Sequence, residues 1–385
     1  MSVQDWLAVH EPDLVEVRRA LHRHPELARR EHATTALLVE RLTTAGLSPK
    51  VLAGGTGLVC DVGSGRPVVA LRADLDALPL QDDKDVSYRS QVPGVCHACG
   101  HDVHAAVLLG AGLALAEQEL AGTVRLLFQP AEEVMPGGAL EVLAEGWLDG
   151  VSAIFGLHCD PTVEVGSVGL KTGPLTAAAD AVEVRLIGPG GHTSRPYNTV
   201  DLVHVLATVA TGLPEALSRL VDPRAGLCLV WGHVSAGVAT NAIPREGVLR
   251  GTLRVLDKTA WDEAPALVER IVDGLVAPYG AQAVVGYERG VPPVVNEAGA
   301  TVVLLGAVQA TLGQEAVVPT LQSMGGEDFA WYLDRVPGAM ARLGVRPPAV
   351  QGWHDLHQGS FDVDEAAIGI GVRVLVATAL AALTA

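Results

Sequence analysis

Apolar residues recur along this chain with more than one period, and the changes of period divide it. Leu14, Val17 and Leu21, then Leu37, Leu38 and Leu42, fall at helical spacing, and Gly46 stands where the second helix would end. Unbroken apolar runs follow at Val68 to Leu71, Val124 to Phe128 and Ile154 to Leu157, with a helical stretch near Val103 to Leu120 between the first two. Runs without alternation suit strands buried on both faces, so these segments predict a parallel sheet covered by helices. From about Ala181 the period shortens to two: Val182, Val184 and Leu186 alternate with Glu183 and Arg185, as in a strand with one wet face. A helix near 199–217, strands near 227–233 and 248–256, a helix near 259–277 and a strand near 282–287 complete a β-α-β-β-α-β order, the split arrangement of ferredoxin-like units. After about Val294 helix and strand alternate again, ending in an apolar helix beyond Asp364. The pattern predicts one discontinuous α/β domain, residues 1–175 and 291–385, with an α+β satellite domain at 176–290 inserted in it.

Composition sharpens this picture. A chain of 385 residues exceeds the size at which one core usually keeps growing, in keeping with two domains. At 49% hydrophobic and 18% charged it is globular in composition. A formal net charge of −17, with no run of Lys and Arg to offset it locally, repels polyanions and argues against nucleic acid as a partner. Met1 to Asp13 lacks the basic start and long apolar stretch of a secretory signal. Val374 to Ala385 is apolar but follows Arg373 and falls short of the about 20 residues a bilayer span needs, so a buried closing helix is expected and no membrane. Five scattered cysteines, Cys60, Cys96, Cys99, Cys159 and Cys228, argue against a disulfide framework and for a reducing, cytoplasmic location.

The candidate chemistry gathers beside the apolar runs. Asp74 and Asp76 follow the first, Glu132 and Glu133 the second, His158 the third, and Cys99, His101 and Asp102 precede a helix. Ligand sites of open α/β sheets lie beyond the carboxyl ends of strands, where these groups could converge. Thiolate, imidazole and carboxylate are ligands for zinc-like or manganese-like ions, and a pair of ions roughly 3.5–4 Å apart would need about this many. Adjacent carboxylates do not easily face one ion together, so one of Glu132 and Glu133 is expected on metal and the other free as a general base. Cys96 and Cys99 form a single C-x-x-C, too little for a structural zinc, and a redox site would leave His101 and Asp102 unexplained. Oxidation of that pair, removing a ligand, stays open as a regulatory reading. His10, His22, His24, His32 and His204 read as surface or packing residues and His233 as a strand residue, while His97, His104 and His354 flank the site as supporting groups.

Several ordered motifs resemble one family. Leu21-His22-Arg23-His24-Pro25-Glu26-Leu27, Arg72-Ala73-Asp74-Leu75-Asp76-Ala77-Leu78-Pro79, His97-Ala98-Cys99-Gly100-His101-Asp102 and Phe128-Gln129-Pro130-Ala131-Glu132-Glu133 open the set. Gly156-Leu157-His158, Gly191-His192-Thr193-Ser194-Arg195-Pro196, Gly326-Glu327-Asp328-Phe329 and Leu356-His357 complete it. Together they resemble the M20 metallopeptidases, in the amidohydrolase branch with hippurate hydrolases, aminoacylases and auxin-conjugate hydrolases. The resemblance implies a zinc-peptidase-like catalytic domain with a dimerisation satellite, hence a homodimer. It implies two divalent metal ions per subunit, zinc or manganese first and cobalt or nickel next, held by Cys99, His101, Glu133, His158 and His357. By position Glu132 is then the general base, Asp76 a carboxylate steadying the metal site, His192 a satellite residue that reaches a neighbouring active site in the dimer and steadies the oxyanion, and Asn241 and Arg254 substrate-facing residues, Arg254 as a carboxylate clamp. The implied reaction is hydrolysis of a small N-acyl amino acid, hippurate-like or N-acetylated, by a water activated between the metals. Departures at Val103, Ala105, Cys96 and Val134-Met135-Pro136 remove no ligand and leave the acyl group open. Two other classes compete: a metal-binding regulatory protein without catalysis, and an amidase using Cys99 as nucleophile.

Overall fold

The apolar runs of the sequence become the middle of an eight-stranded sheet. The computed structural model describes residues 1–348 and 352–385. These form two units: Met1–Gly173, Val295–Leu321 and Asp328–Ala385 in the first, Pro174–Val294 and Gln322–Glu327 in the second. Across the sheet of the first unit the order is Lys50–Val51, Leu58–Gly63, Thr123–Gln129, Val68–Asp74, Val151–Glu164, Gly338–Arg346, Val168–Leu170 and Val317–Pro319. The four central strands from Thr123–Gln129 to Gly338–Arg346 run parallel. Toward one edge Lys50–Val51 and Leu58–Gly63 pair antiparallel, and Val168–Leu170 lies antiparallel to Gly338–Arg346. The sheet is thus mixed, not parallel throughout. Helices bury its strands whichever way their neighbours run, so an apolar run carries no mark of direction.

Helix His101–Ala116 is the inner helix of this unit. Val103, Val107, Leu108, Leu109 and Leu115 are at most 1% exposed, and each such side chain contributes about 1.5–3 kcal/mol by leaving water. It packs against Val3–Arg23 and against Ala366–Ala382, the apolar closing helix, which is a buried core element. No helix among the described residues is long and apolar enough to cross a membrane.

In the second unit the order of elements is strand Ala178–Ile187, helix Leu202–Leu220, strands Cys228–Ala236 and Glu246–Val255, helix Lys258–Val276 and strand Gln282–Val291. The strands form one antiparallel sheet, ordered Cys228–Ala236, Glu246–Val255, Ala178–Ile187, Gln282–Val291. Val182, Val184 and Leu186 are buried, while Ala181, Arg185 and Ile187 are exposed, as the period of two requires. The segment Gln322–Glu327, expected with the catalytic residues 291–385, belongs here: Ser323 N–H donates to the Leu175 carbonyl at 2.9 Å and Ala177 N–H to that of Gly325 at 3.2 Å. Six residues are too few to carry a hydrophobic period, so the sequence gives no sign of this return.

Candidate active site

Two strands of the first unit end at the site and a third runs through it. Asp74 closes Val68–Asp74 and Gln129 closes Thr123–Gln129, so Asp76, Glu132 and Glu133 follow at carboxyl ends. His158 departs from that expectation. Its strand continues to Glu164, and His158 sits mid-strand opposite Arg342. Cys99 and His101 flank Gly100, whose φ of 89° lies in the left-handed region and whose place could not take a Cβ, since one would stand 2.8 Å from Cys159 Sγ. His357 comes from a loop tied to the same turn, its N–H donating to the Ala98 carbonyl at 2.8 Å.

The imidazoles present defined atoms. His101 Nδ1 lies 2.8 Å from the Asp76 carbonyl, which can only accept, so Nδ1 carries the proton and Nε2 is left facing the cluster. That Nε2 is buried with no hydrogen-bond partner among the described residues, 3.7 Å from Glu133 Oε1 and 4.0 Å from Glu132 Oε2. His158 Nδ1 likewise donates to the Cys159 carbonyl at 2.8 Å, leaving Nε2 3.6 Å from Cys99 Sγ. His357 Nε2 is 3.4 Å from Glu133 Oε2, and Glu133 Oε1 is buried without a partner. Donor atoms of Cys99, His101 and His158 lie within 4.8 Å of one another, as do those of Cys99, Glu133 and His357, and those of His101, Glu132 and Glu133. Buried polar atoms in native proteins are almost always satisfied, and a divalent cation is the partner that suits thiol, imidazole and carboxylate together. The residues fit the metal that the sequence implied.

The local field is that of a cation site. Burial, then Glu133 and Glu132, push the Cys99 thiol well above its ordinary range. Burial opposes a charge on His101, yet Asp74, Asp76 and Glu133 outweigh it and raise the imidazole to about 10. Burial and then Arg342 push the His158 imidazole well below its ordinary range.

Around the donors lies a shell of buried charges. Asp76 accepts the backbone N–H of Glu132 at Oδ1 and of Glu133 at Oδ2, both at 2.9 Å. Asp74 pairs with Arg72 at 2.6 Å and meets His104 Nδ1, while His104 Nε2 accepts the N–H of Cys159 at 2.8 Å, next to His158. Arg72 also holds Asp328 at 2.7 Å and Gln129 at 2.9 Å. Asp102 pairs with Arg18 and with His22 Nδ1, both at 2.7 Å, and His22 Nε2 is 3.2 Å from Asp82. His22 is therefore not a surface or packing residue; it is 0% exposed and joins two carboxylates. Its helix position showed no such role, because the partners lie 60 and 80 residues away. His104 belongs to this shell, His97 is buried against His22, and His354 is exposed. Cys96 Sγ stands 3.8 Å from Lys84 Nζ, and all five cysteines are free.

In the second unit His192 and Asn241 come together. Gly191–His192 pairs antiparallel with Ala242–Ile243, and Thr193 N–H donates to the Asn241 carbonyl at 3.3 Å. Both residues are exposed. The backbone N–H of Ser194 donates to His192 Nδ1 at 3.1 Å, so Nε2 is the protonated nitrogen of the neutral ring. Arg254 is not part of this pair. It lies near the far end of Glu246–Val255, opposite Cys228 and Ala179, where burial lowers its guanidinium and Asp180 partly offsets that.

Known proteins share this framework. The profile of peptidase family M20/M25/M40 matches residues 70–381. A Rhodococcus jostii protein carrying a glutamate–cysteine ligase name is 49% identical over 378 residues, 98% of this chain and 48% of that protein, so the chain spans about half its length. An N-acetyl-L-cysteine deacetylase of Bacillus subtilis is 38% identical over 366 residues, 94% of this chain and 86% of that one. A solved Bacillus subtilis structure described as a dinuclear metal-binding peptidase of the M20 family is 33% identical, with a TM-score of 0.87 over 98% of this chain and 99% of that one. The chain belongs to peptidase family M20/M25/M40 and is a hydrolase of that family.

Proposed function

We propose that the chain is a metal-dependent amidohydrolase that cleaves the amide bond of small N-acyl amino acids, using two divalent cations held by Cys99, His101, Glu133, His158 and His357. One observation carries the reading: five donors from distant parts of the chain meet around the partnerless His101 Nε2 and Glu133 Oε1, with Glu132 beside them. The deacetylase name of the Bacillus subtilis relative and the dinuclear description of the solved structure support it. When bound, the cations supply Lewis acidity and make a water molecule acidic near neutral pH. Zinc and manganese suit the mixed donors best, with cobalt and nickel next.

Glu132 takes the proton of the attacking water on its carboxylate and returns it to the departing nitrogen, a role typically worth 10²–10⁴-fold. Asp76 holds the backbone of both glutamates, so the base cannot rotate away with its loop. His192, protonated at Nε2, is read as reaching the active site of a neighbouring subunit in a dimer, where it donates to the oxyanion, and Asn241 as a substrate-facing residue. Arg254 grips the substrate carboxylate, and its guanidinium plane favours a two-pronged bond. The satellite is read as a ferredoxin-like unit, residues 176–290, that dimerises. Among the described residues its edge strand Cys228–Ala236 has one side unpaired, and it exposes Val230 and Val234, 60% each. A cytoplasmic location suits the five free cysteines.

The test is a panel of N-acetyl and N-aroyl amino acids assayed with Zn²⁺, Mn²⁺, Co²⁺ and Ni²⁺, with Glu132→Ala as control. Turnover falling by about 10³-fold with metal content intact is expected of that variant. An active Glu132→Ala protein refutes the assignment. Turnover that survives chelation and dies only on thiol alkylation favours Cys99 as nucleophile instead.

A further inference from the structure

Three consecutive backbone N–H groups lead into the glutamate pair, and each is taken by a carboxylate. Glu132 and Glu133 are held by Asp76, and Ala131 N–H donates to Glu31 Oε1 at 2.8 Å. Glu31 lies at the start of helix His32–Thr44, where an acidic side chain usually caps the helix. Here it makes no cap bond. Glu26 takes that duty instead, its carboxylate accepting Ala33 N–H at 3.1 Å and Thr34 N–H at 2.8 Å. The Glu31 carboxylate is thereby released to reach a residue 100 positions along the chain, and it is 0% exposed.

What it holds is a strained turn. Ala131 has φ 58°, in the left-handed region that residues with a Cβ seldom adopt. Such a conformation persists only where its surroundings over-determine it. Ala131 N–H is bound by Glu31, its carbonyl accepts Gly138 N–H at 2.9 Å, and Gly57 lies so close to Pro130 that a Cβ there would stand 2.5 Å from Pro130 Cδ. Glu31 Oε2, by contrast, is buried with no hydrogen-bond partner among the described residues. A buried carboxylate satisfied at one oxygen is a poor choice for packing alone, which an apolar side chain would serve better.

We infer that Glu31 is a positioning residue: by holding the Ala131 N–H it sets the direction in which the backbone leaves strand Thr123–Gln129, and so aims Glu133 into the donor cluster with Glu132 beside it. The inference rests on the roles proposed above for those two glutamates. It is tested on the full chain with Glu31→Ala and the isosteric Glu31→Gln, using Co²⁺ alone as the metal probe. In Glu31→Ala the visible spectrum of the Co²⁺-loaded protein shifts, hydrogen exchange at residues 131–133 accelerates, and kcat on N-acetyl amino acids falls by about 10–100-fold. KM stays within about twofold, since the loss is in orientation and not in substrate binding. Glu31→Gln keeps an acceptor oxygen and restores spectrum, exchange and kcat. An unaltered Co²⁺ spectrum and exchange rate in a folded Glu31→Ala overturns the inference, as does Glu31→Gln behaving like Glu31→Ala. Spectrum and exchange do not depend on turnover, so they stand apart from the Glu132→Ala assay that tests the function itself.

Discussion

In the first unit His101, Asp76, Asp74 and His104 are at most 3% exposed, and each is bound by at least one buried partner. In the second, His192 stands exposed on a two-residue strand and Asn241 exposed just before its partner strand, and the bonds between them are mostly backbone. Buried carboxylates and imidazoles keep their charges only where each finds a partner, so their positions are over-determined and tied to global stability. A single hydrogen-bond donor such as His192 Nε2 carries no such cost and can be left on the surface. Damage to the first region is therefore expected to harm folding and activity together, and damage to the second, activity alone.

The largest effect is expected from Asp74→Ala, which strips Arg72 and His104 of a buried partner. Burial works against the Asp74 charge, but His101, Arg72 and His104 hold its carboxyl well below the usual range, so the folded protein relies on the ion. Denaturant unfolding should show a loss of about 3–5 kcal/mol, with activity lost as well. His192→Ala is the counterpart: kcat should drop by roughly 10²–10³-fold, while the melting temperature stays at the wild-type value. A melting temperature lowered as far as that of Asp74→Ala would erase the distinction between the regions.

Asp76→Ala comes next. Freed of its acceptor, the Glu132–Glu133 backbone should cost about 10–100-fold in activity and in metal affinity, read by kinetics and by metal titration. The smallest effect concerns pH. Burial lowers the His22 imidazole, but Asp102 and Asp82 outweigh it and raise it to about 10, above its ordinary 6.5. A raised folded value means that this contribution is complete below about pH 6.5 and fades as pH climbs toward 10. Urea unfolding of the wild type should weaken between pH 7 and pH 9.5, and His22→Asn should flatten that slope. An unchanged slope would show that His22 is not a buried cation.

Part of the site could be read in the order of residues because some of its donors follow apolar strand runs, and strand ends are where an α/β sheet gathers ligands. Of the proposed donors Glu133 alone follows a strand's carboxyl end; His158 follows an apolar run but lies mid-strand, Cys99 and His101 precede a helix, and His357 was marked only by the family resemblance. Glu31, His22 and Arg18 were not legible as part of it. Each sits on or beside an ordinary helix, and its partner is 80 to 100 residues distant.

Local chemistry is thus written in the sequence: hydrophobic period sets which segments are strands or helices, and residue type sets which atoms could bind a cation or move a proton. Strand direction in the sheet, the return of Gln322–Glu327 to the second unit, and the choice of carboxylate for each backbone N–H are decided only by the tertiary structure. The reason is range. Period and propensity act over a few residues, whereas burial places groups a hundred residues apart within 3 Å of each other, and only there does a charge find the partner that determines what it does.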